Sequence, residues 1–335
     1  MRAYSFRQPP FCIFGVPRFE ETGALERLPQ SLAAQMKSEA MPFLARRCPG
    51  ARLCFRTDSG EITLRIRLEA ITPDIGMSIF SCQSGGVYIG ARPMARYAGL
   101  VKPSGYGSTL CEGTFRKSGE MEDVTVYLPR NEHVTEIEIL LEDGARVEAP
   151  TPYRHAKPVV FYGSSITEGG CCSKPANCYN ALVSRWLDTE HYNLGFSAAA
   201  LGEPAMADYI ASLDMSVFVY DYDHNAPSAE YLAETHEPFF RRIRARRPEL
   251  PVVMMSMPCF DYDASAAARR DVIRATFERA KAAGDRNVYF LDGERFFGDD
   301  DRDACTNDCL HPNDLGMYRI AKAVAPLLEK LLSEA

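Results

Sequence analysis

The spacing of hydrophobic residues changes near the middle of the chain. Up to about residue 150, short runs alternate hydrophobic and polar positions, and turn residues separate the runs. Alternation with a period of two is typical of half-buried strands, and a regular series of such strands predicts an antiparallel β-sandwich, here jelly-roll-like. The clearest runs are residues 52–56, 61–67, 86–90, 124–128 and 134–141, with one short helix predicted over residues 30–37.

The second half alternates continuous apolar runs with helical patterns. Apolar strands separated by helices predict a parallel sheet covered on both faces, which is a flavodoxin-like three-layer α/β/α domain. A proline-containing connection at residues 148–153 divides the halves, so we predict domains at residues 1–152 and 153–335. The apolar runs are residues 159–162, 192–194, 217–220, 252–257 and 288–291, and the helical ones are 180–187, 229–245, 264–283 and 313–332.

Composition and charge narrow the classes of partner. The chain of 335 residues is 46% hydrophobic with a net charge of -7, which offers no basic surface for nucleic acid or an anionic membrane. No window approaches the roughly 18 apolar residues of a membrane span. The chain begins without an apolar leader and has an odd number of cysteines, 11, so we expect reduced thiols and a cytoplasmic protein.

Candidate chemistry lies in the run VVFYGSSITE, residues 159–168. A buried strand leads into the turn Gly163-Ser164-Ser165, which would hold a hydroxyl at the carboxyl end of the sheet. A serine hydroxyl needs a base to become a nucleophile, and histidine suits that task. His311 follows Asp308 by three residues, so the carboxylate can hold one ring nitrogen while the other faces outward. We therefore predict a hydrolase that uses Ser165, His311 and Asp308.

The order of these segments resembles a known superfamily. A serine in a Gly-x-Ser turn is followed by the small-residue turn at 195–198, an asparagine loop at 221–225 and a terminal Asp-x-x-His. This order resembles the SGNH (GDSL-type) hydrolases, which are esterases with a flavodoxin-like sheet, over residues 157–333. With its β-domain, the chain is also similar to two-domain bacterial esterases that resemble carbohydrate acetylesterases. The resemblance implies a serine esterase for small acyl esters of carbohydrates, acetyl esters foremost, without a cofactor.

The resemblance also implies an oxyanion hole. Ser165 would contribute its backbone N–H and Asn225 its side-chain amide. Ala198 stands where the family has a glycine, and Gly195 is the less favoured alternative. A backbone N–H survives the change from glycine to alanine, provided that the local φ need not be positive.

Other residues near these motifs could contact the substrate. We expect Tyr179, His224 and Asp221 to line the substrate site. Ser164 replaces the aspartate that commonly precedes the nucleophile in the family, and that position lies outside the triad. Zinc is an alternative reading of Cys171, Cys172, Cys178, Cys305, Cys309 and His311. Their spacing fits the paired Cys-x-x-Cys pattern poorly, so we predict no metal.

Three functions remain open: a serine esterase, a hydrolase of lipids, lysophospholipids or thioesters, and a non-catalytic carbohydrate-binding protein. Alone, Ser165 or the Asp-x-x-His sequence could simply cap a helix, and their joint occurrence in this order favours the esterase. A lipid, lysophospholipid or thioester hydrolase would need a broader apolar acyl groove. A non-catalytic carbohydrate-binding protein would have no physical reason to carry the complete set of catalytic residues. The expected partner is a small-molecule or oligosaccharide ester, and the sequence leaves open whether homo-oligomers form.

Overall fold

An antiparallel sheet forms the N-terminal part of the computed structural model, which describes residues 1–72 and 74–334. The sheet has the strand order β1-β9-β4-β7-β6-β5-β8-β3-β10, with β2 paired to β3. The strands are β1 Arg2–Ser5, β2 Cys12–Phe14, β3 Arg52–Thr57, β4 Glu61–Leu68, β5 Gly85–Ile89, β6 Arg96–Pro103, β7 Leu110–Arg116, β8 Glu122–Tyr127, β9 Val134–Leu141 and β10 Val147–Glu148. Short helices accompany them: α1 Phe19–Thr22, α2 Gln30–Ala33, α3 Met41–Ala45 and α4 Ile79–Gln83.

This sheet curls so that its two halves enclose one core. Strand β6 pairs with β5 along most of its length and with β7 at Lys102 and Pro103, which joins the halves. Side chains from β3, β5 and β8 pack with those from β4 and β9 in a single buried cluster. Along β4 every second residue is buried, as the alternation in the sequence predicts. The prediction of an antiparallel β-domain is confirmed.

The C-terminal part is a parallel sheet with the order β12-β11-β13-β14-β15. Its strands are β11 His155–Gly163, β12 Thr189–Gly195, β13 Val217–Asp221, β14 Val252–Met255 and β15 Val288–Leu291. Its helices are α5 Ser165–Glu168, α6 Tyr179–Leu187, α7 Pro204–Ser212, α8 Ala229–Arg246, α9 Ala266–Ala282 and α10 Asp314–Ser333. Single turns of 3-10 helix lie at Pro175–Asn177, Gly293–Arg295 and Asp303–Cys305. This is the flavodoxin-like strand order, and the predicted α/β class is confirmed.

The central strand β11 explains why both sheet faces are covered. Its residues alternate between two cores: Val159 and Phe161 pack with α6 and α10, whereas Val160 and Tyr162 pack with α7 and α8. Strand order reverses at β11, because β12 lies on one side of it and β13 on the other. Such a reversal opens a crevice at the carboxyl ends of the strands, where α/β proteins bind their ligands.

The N-terminal part packs closely onto the parallel-sheet domain. Residues of α2 and α3 share a hydrophobic cluster with residues of β12 and α7. Buried ion pairs cross between the parts, among them Arg52 with Glu190 at 2.8 Å and Arg27 with Glu168 at 3.6 Å. Removing one member of such a pair leaves a buried charge without a partner, so these contacts fix the two parts against each other.

Within residues 1–72 and 74–334, none of the helices has both the length and the apolar composition for crossing a membrane.

Candidate active site

The nucleophile candidate Ser165 is the first residue of α5, immediately beyond the end of β11. The turn is tight: a side chain on Gly163 would collide with the hydroxyl of Thr167 and the carbonyl of Asp221. Ser164 caps the helix, because its hydroxyl accepts a hydrogen bond from the N–H of Ile166 at 3.1 Å. The sequence thus places the Ser165 side chain at the mouth of the crevice, with its backbone N–H at the start of a helix.

The structure brings the three predicted triad residues together. The hydroxyl of Ser165 lies 2.9 Å from Nε2 of His311, and Nδ1 of His311 lies 2.7 Å from Oδ2 of Asp308. The other oxygen of Asp308 accepts the N–H groups of His311 at 2.6 Å and Leu310 at 3.1 Å. Burial raises the pKa of Asp308, but the hydrogen bonds and charge of His311 outweigh it and hold that pKa below its ordinary value. The carboxylate can therefore orient the imidazole as an anion.

The proposed oxyanion donor Asn225 contacts the turn that carries Gly195 and Ala198. Asn225 donates one amide hydrogen to the Phe196 carbonyl at 2.8 Å, which leaves its second amide hydrogen available. The N–H of Gly195 already donates to the side chain of Asn193 at 2.9 Å. The N–H of Ala198 has no acceptor among residues 1–72 and 74–334. Ala198 therefore remains the donor candidate of this turn, in preference to Gly195.

The backbone of Ala198 does not meet the condition stated for an alanine at this position, namely that the local φ need not be positive. Its φ is 55°, in the left-handed region, although an alanine there was expected to work only without a positive φ. A side chain in that region costs about 1–2 kcal/mol because Cβ approaches the backbone. The surrounding contacts must compensate for this strain.

We expect Ala198→Gly to stabilise the protein slightly. Glycine adopts a positive φ without strain, although it gains freedom in the unfolded chain, so the net gain should be about 0.5–1 kcal/mol. The backbone N–H is retained, so kcat should stay close to the wild-type value. Denaturant unfolding together with ester kinetics measures both. A loss of stability would show that the left-handed conformation at residue 198 is not strained.

We expect Asn225→Ala to lower kcat strongly. Loss of one oxyanion donor costs on the order of 10² to 10³ in turnover, whereas KM should change little because the amide acts on charge that forms in the transition state. Asn287→Ala is a matched control, because that amide also bonds a backbone carbonyl, of Glu249 at 3.0 Å, but lies beside the start of β15 at the opposite sheet edge. Equal kcat in the Asn225 variant and wild type would remove Asn225 from the oxyanion hole.

Of the three expected substrate-lining residues, two lie below the nucleophile turn. Tyr179 is fully buried, and its hydroxyl donates to Oδ2 of Asp221 at 2.8 Å. The same oxygen accepts the hydroxyl of Thr167, in α5, at 2.7 Å. The expectation that Tyr179 and Asp221 line the substrate site is corrected: Tyr179, in α6, and Asp221, at the end of β13, are both buried, and they support α5 from beneath. His224 is half-buried beside Asn225, and burial and then Arg269 lower its pKa to about 4, so its ring is neutral at pH 7.

Asp221 makes stability depend on pH. Burial raises the pKa of its carboxyl to about 7, from an ordinary value of 3.8, although hydrogen bonds from Thr167 and Tyr179 oppose the shift. The folded protein holds this proton where the unfolded chain has lost it, so the stabilisation is complete below about pH 4 and disappears as pH rises through about 7. We expect the free energy of unfolding to fall by about 1 kcal/mol between roughly pH 6 and pH 8 through this group. Urea unfolding should show this component in wild type and lose it in Asp221→Asn. The same pH dependence in both proteins would contradict it.

One group of metal-ligand types lies within the candidate site. Donor atoms of Cys171, Asp308 and His311 lie within 4.8 Å of one another. Cys171 and His311 belong to the set that the sequence offered as an alternative zinc site, whereas Asp308 does not. In the structure Cys172 and Cys178 point instead toward backbone carbonyls of Gly169 and Thr167. The Asp308 carboxylate and the His311 ring bond each other, which is the arrangement that a general base requires.

Three buried charged residues near the site were not among the residues predicted from the sequence. Glu168, at the end of α5, accepts the N–H of Ser197 at 2.9 Å and lies between Arg27 and Arg130. Glu168 is the last residue of the VVFYGSSITE run, and an acidic residue in a segment expected to be buried could have indicated its role. Nothing in the sequence around Arg27 or Arg130 indicates that these residues reach the site.

A flavodoxin-like sheet with a serine, a histidine and an aspartate assembled at its switch point defines a serine hydrolase. Residues 156–329 match the sequence profile of the GDSL-like Lipase/Acylhydrolase family, and residues 6–147 match a profile for the N-terminus of SGNH-hydrolase-type esterases. The chain belongs to the GDSL-like lipase/acylhydrolase family and carries the N-terminal domain of its esterases. No curated protein sequence is significantly similar to it.

Solved structures extend this likeness over both domains. A candidate GDSL-like lipase from Bacteroides ovatus superposes with a TM-score of 0.88 at 22% identity, covering 99% of this chain and 98% of its own. A salicylyl-acyltransferase of a tetracycline biosynthetic pathway gives 0.78 at 22% identity, with the same coverage of 99% and 98%. An acetyl xylan esterase from Butyrivibrio proteoclasticus gives 0.59 at 10% identity, covering 99% and 100%. At these identities the likeness establishes the shared two-domain fold.

Proposed function

We propose that the protein is a serine esterase that removes small acyl groups, acetyl foremost, from carbohydrates. The observation that carries the hydrolytic part is the contact of 2.9 Å between the Ser165 hydroxyl and Nε2 of His311. His311 has its other nitrogen held by Asp308, so Nε2 is free to accept the serine proton. Ser165 then attacks the ester carbonyl.

The negative charge that develops on the carbonyl oxygen would meet the N–H groups of Ser165 and Ala198 and the amide of Asn225. The protonated His311 passes its proton to the leaving alcohol, which departs and leaves an acyl group on Ser165. Water, activated by His311, releases the acid and restores the serine. The imidazole of His311 therefore accepts and returns the proton in both the acylation stage and the hydrolysis stage.

The carbohydrate part of the proposal is supported by the two-domain architecture, which this chain shares with an acetyl xylan esterase. The test is release of acetate from a panel of acetylated oligosaccharides by wild type and by Ser165→Ala. We expect release by wild type alone. Equal release by both proteins would exclude Ser165 as the nucleophile, and wild-type hydrolysis of p-nitrophenyl acetate without any release from sugars would exclude the carbohydrate substrate.

An apolar groove in the N-terminal domain favours a second candidate, hydrolysis of esters with larger apolar groups. The groove is lined by residues within 71–72, 74–83 and 103–107, and Ile75, Phe80 and Tyr106 are exposed in it. Met77, also in the groove, has its sulfur 3.8 Å from the thiol of Cys171, which adjoins Asp308 and His311. Kinetics with p-nitrophenyl esters from acetate to longer chains separate the candidates. A steep preference for long chains would favour a lipid or thioester hydrolase.

A further inference from the structure

Glu168 is a fully buried carboxylate that contacts the segment next to an oxyanion donor. Its Oε2 accepts the N–H of Ser197 at 2.9 Å and also the Ser197 hydroxyl. Ala198, which follows directly, holds its strained φ of 55° at an exposed position. The carboxylate therefore fixes the residue that precedes the donor, at the point where the backbone would otherwise relax toward a negative φ.

Two arginines of the N-terminal domain surround this carboxylate. Nη2 of Arg27 lies 3.6 Å from one oxygen and Nη1 of Arg130 lies 3.8 Å from the other, and the arginine side chains are 0% and 2% exposed. Burial raises the pKa of Glu168, but the charges of Arg130 and Arg27 outweigh it and hold that pKa below its ordinary value. Glu168 is thus an anion, and both Ser197 groups can donate to it.

Arg27 also holds the oxyanion segment directly. Its Nη1 donates to the carbonyl of Asn193 at 3.1 Å and to that of Gly195, and its guanidinium carbon lies 4.3 Å from the centre of the Phe196 ring. Its Nε and Nη2 donate to carbonyls of the N-terminal domain, those of Arg47 and Leu44, both at 2.8 Å. One planar side chain therefore connects the N-terminal domain to residues 193–196, because its five N–H groups point in fixed directions.

We propose that Arg27 and Glu168 are positioning residues of the oxyanion hole, through which the N-terminal domain holds the N–H of Ala198 in place. The proposal rests on the esterase function proposed above. It makes the N-terminal domain a part of the catalytic unit, in addition to any role in binding substrate. A donor displaced by about 1 Å can cost on the order of 100-fold in rate, so loss of this contact should appear in catalysis.

Glu168→Gln and Ser197→Ala test the proposal. Glutamine keeps the shape and one acceptor but removes the charge that faces both arginines. We expect kcat for p-nitrophenyl acetate to fall about 10- to 100-fold, with KM within about threefold of wild type. Ser197→Ala removes one hydroxyl at a partly exposed position and should fold, with kcat about 3- to 10-fold lower. If the Glu168 variant does not fold, the Ser197 variant decides.

A second buried pair at the same domain interface provides the matched control. Arg52 and Glu190 lie 2.8 Å apart with exposures of 0% and 5%, and Glu190 also accepts the N–H of Gly15 at 2.8 Å. Glu190→Gln removes an equally buried charge without touching residues 195–198. It should lower the midpoint of thermal unfolding as Glu168→Gln does, and it should leave kcat within about twofold of wild type, since no transition-state contact is lost.

The outcomes separate the two proposals. If wild type does not hydrolyse p-nitrophenyl acetate, the proposed function fails and the positioning role fails with it. If wild type is active and Glu168→Gln and Ser197→Ala keep its kcat, only the positioning role is overturned. An equal loss of kcat in Glu190→Gln would overturn it too, because the effect would then follow from general loosening of the domain interface.

Discussion

Ser165→Ala should reduce ester hydrolysis by on the order of 10⁶-fold in turnover, because the variant has no atom to carry the acyl group. The residual rate would come from the oxyanion donors and bound water. The substitution removes only the hydroxyl, which lies just beyond the carboxyl end of β11 and 2.9 Å from the base. We therefore expect the fold to be unchanged. Kinetics with p-nitrophenyl acetate and thermal unfolding measure both expectations.

The neighbouring Ser164 is the natural control for this substitution. Its hydroxyl is buried and caps α5 through the N–H of Ile166. Ser164→Ala should therefore cost about 1 kcal/mol of stability and leave most of the turnover. The reverse result, with an active Ser165 variant and an inactive Ser164 variant, would show that Ser164 is the nucleophile and that the assignment of Ser165 is wrong.

Asp308→Asn should lower kcat by about 10⁴-fold while leaving KM and the fold nearly unchanged. The amide oxygen can still accept the backbone N–H groups of Leu310 and His311, which form the turn. The amide NH₂ would then face Nδ1 of His311 and force the ring proton onto Nε2. An Nε2 that carries a proton cannot accept one from Ser165.

Asp314→Asn controls for a general effect of removing charge near this loop. The Asp314 carboxylate bonds the N–H of Ser173 at 2.8 Å and the amide of Asn177 at 2.8 Å, away from the imidazole. The turnover of the Asp314→Asn variant should stay near that of wild type. If the two variants lost the same activity, Asp308 would act through local charge and not by orienting His311.

Buried strands were predictable from the sequence, and exposed ones were not. Residues 159–162 and 217–220 lie in β11 and β13, where both faces are covered and the sequence is continuously apolar. Strand β6 has exposed and half-buried residues in succession and β7 is interrupted by Gly113, so neither shows a clear alternation, and neither was predicted. Helix α7 was also missed, because its buried residues include small alanines that give a weak helical pattern.

The site could be predicted where its residues stand in short motifs. Ser165 and the pair Asp308 and His311 follow from turns that local sequence specifies. The inward orientation of Tyr179 could not be foreseen, because it depends on how α6 is rotated on the sheet. The contact of Arg27 with Glu168 arises only when the N-terminal segment packs on the second domain, and no periodicity in the sequence records such a contact.

The site of covalent labelling by a fluorophosphonate tests the central assignment most directly. This reagent reacts with a serine only when a base activates the hydroxyl and donors stabilise the oxyanion that forms. Peptide mass spectrometry should locate one adduct, on Ser165, and labelling should be lost in Ser165→Ala and greatly slowed in His311→Ala. An adduct on another residue, or continued ester turnover after complete labelling of Ser165, would contradict the account.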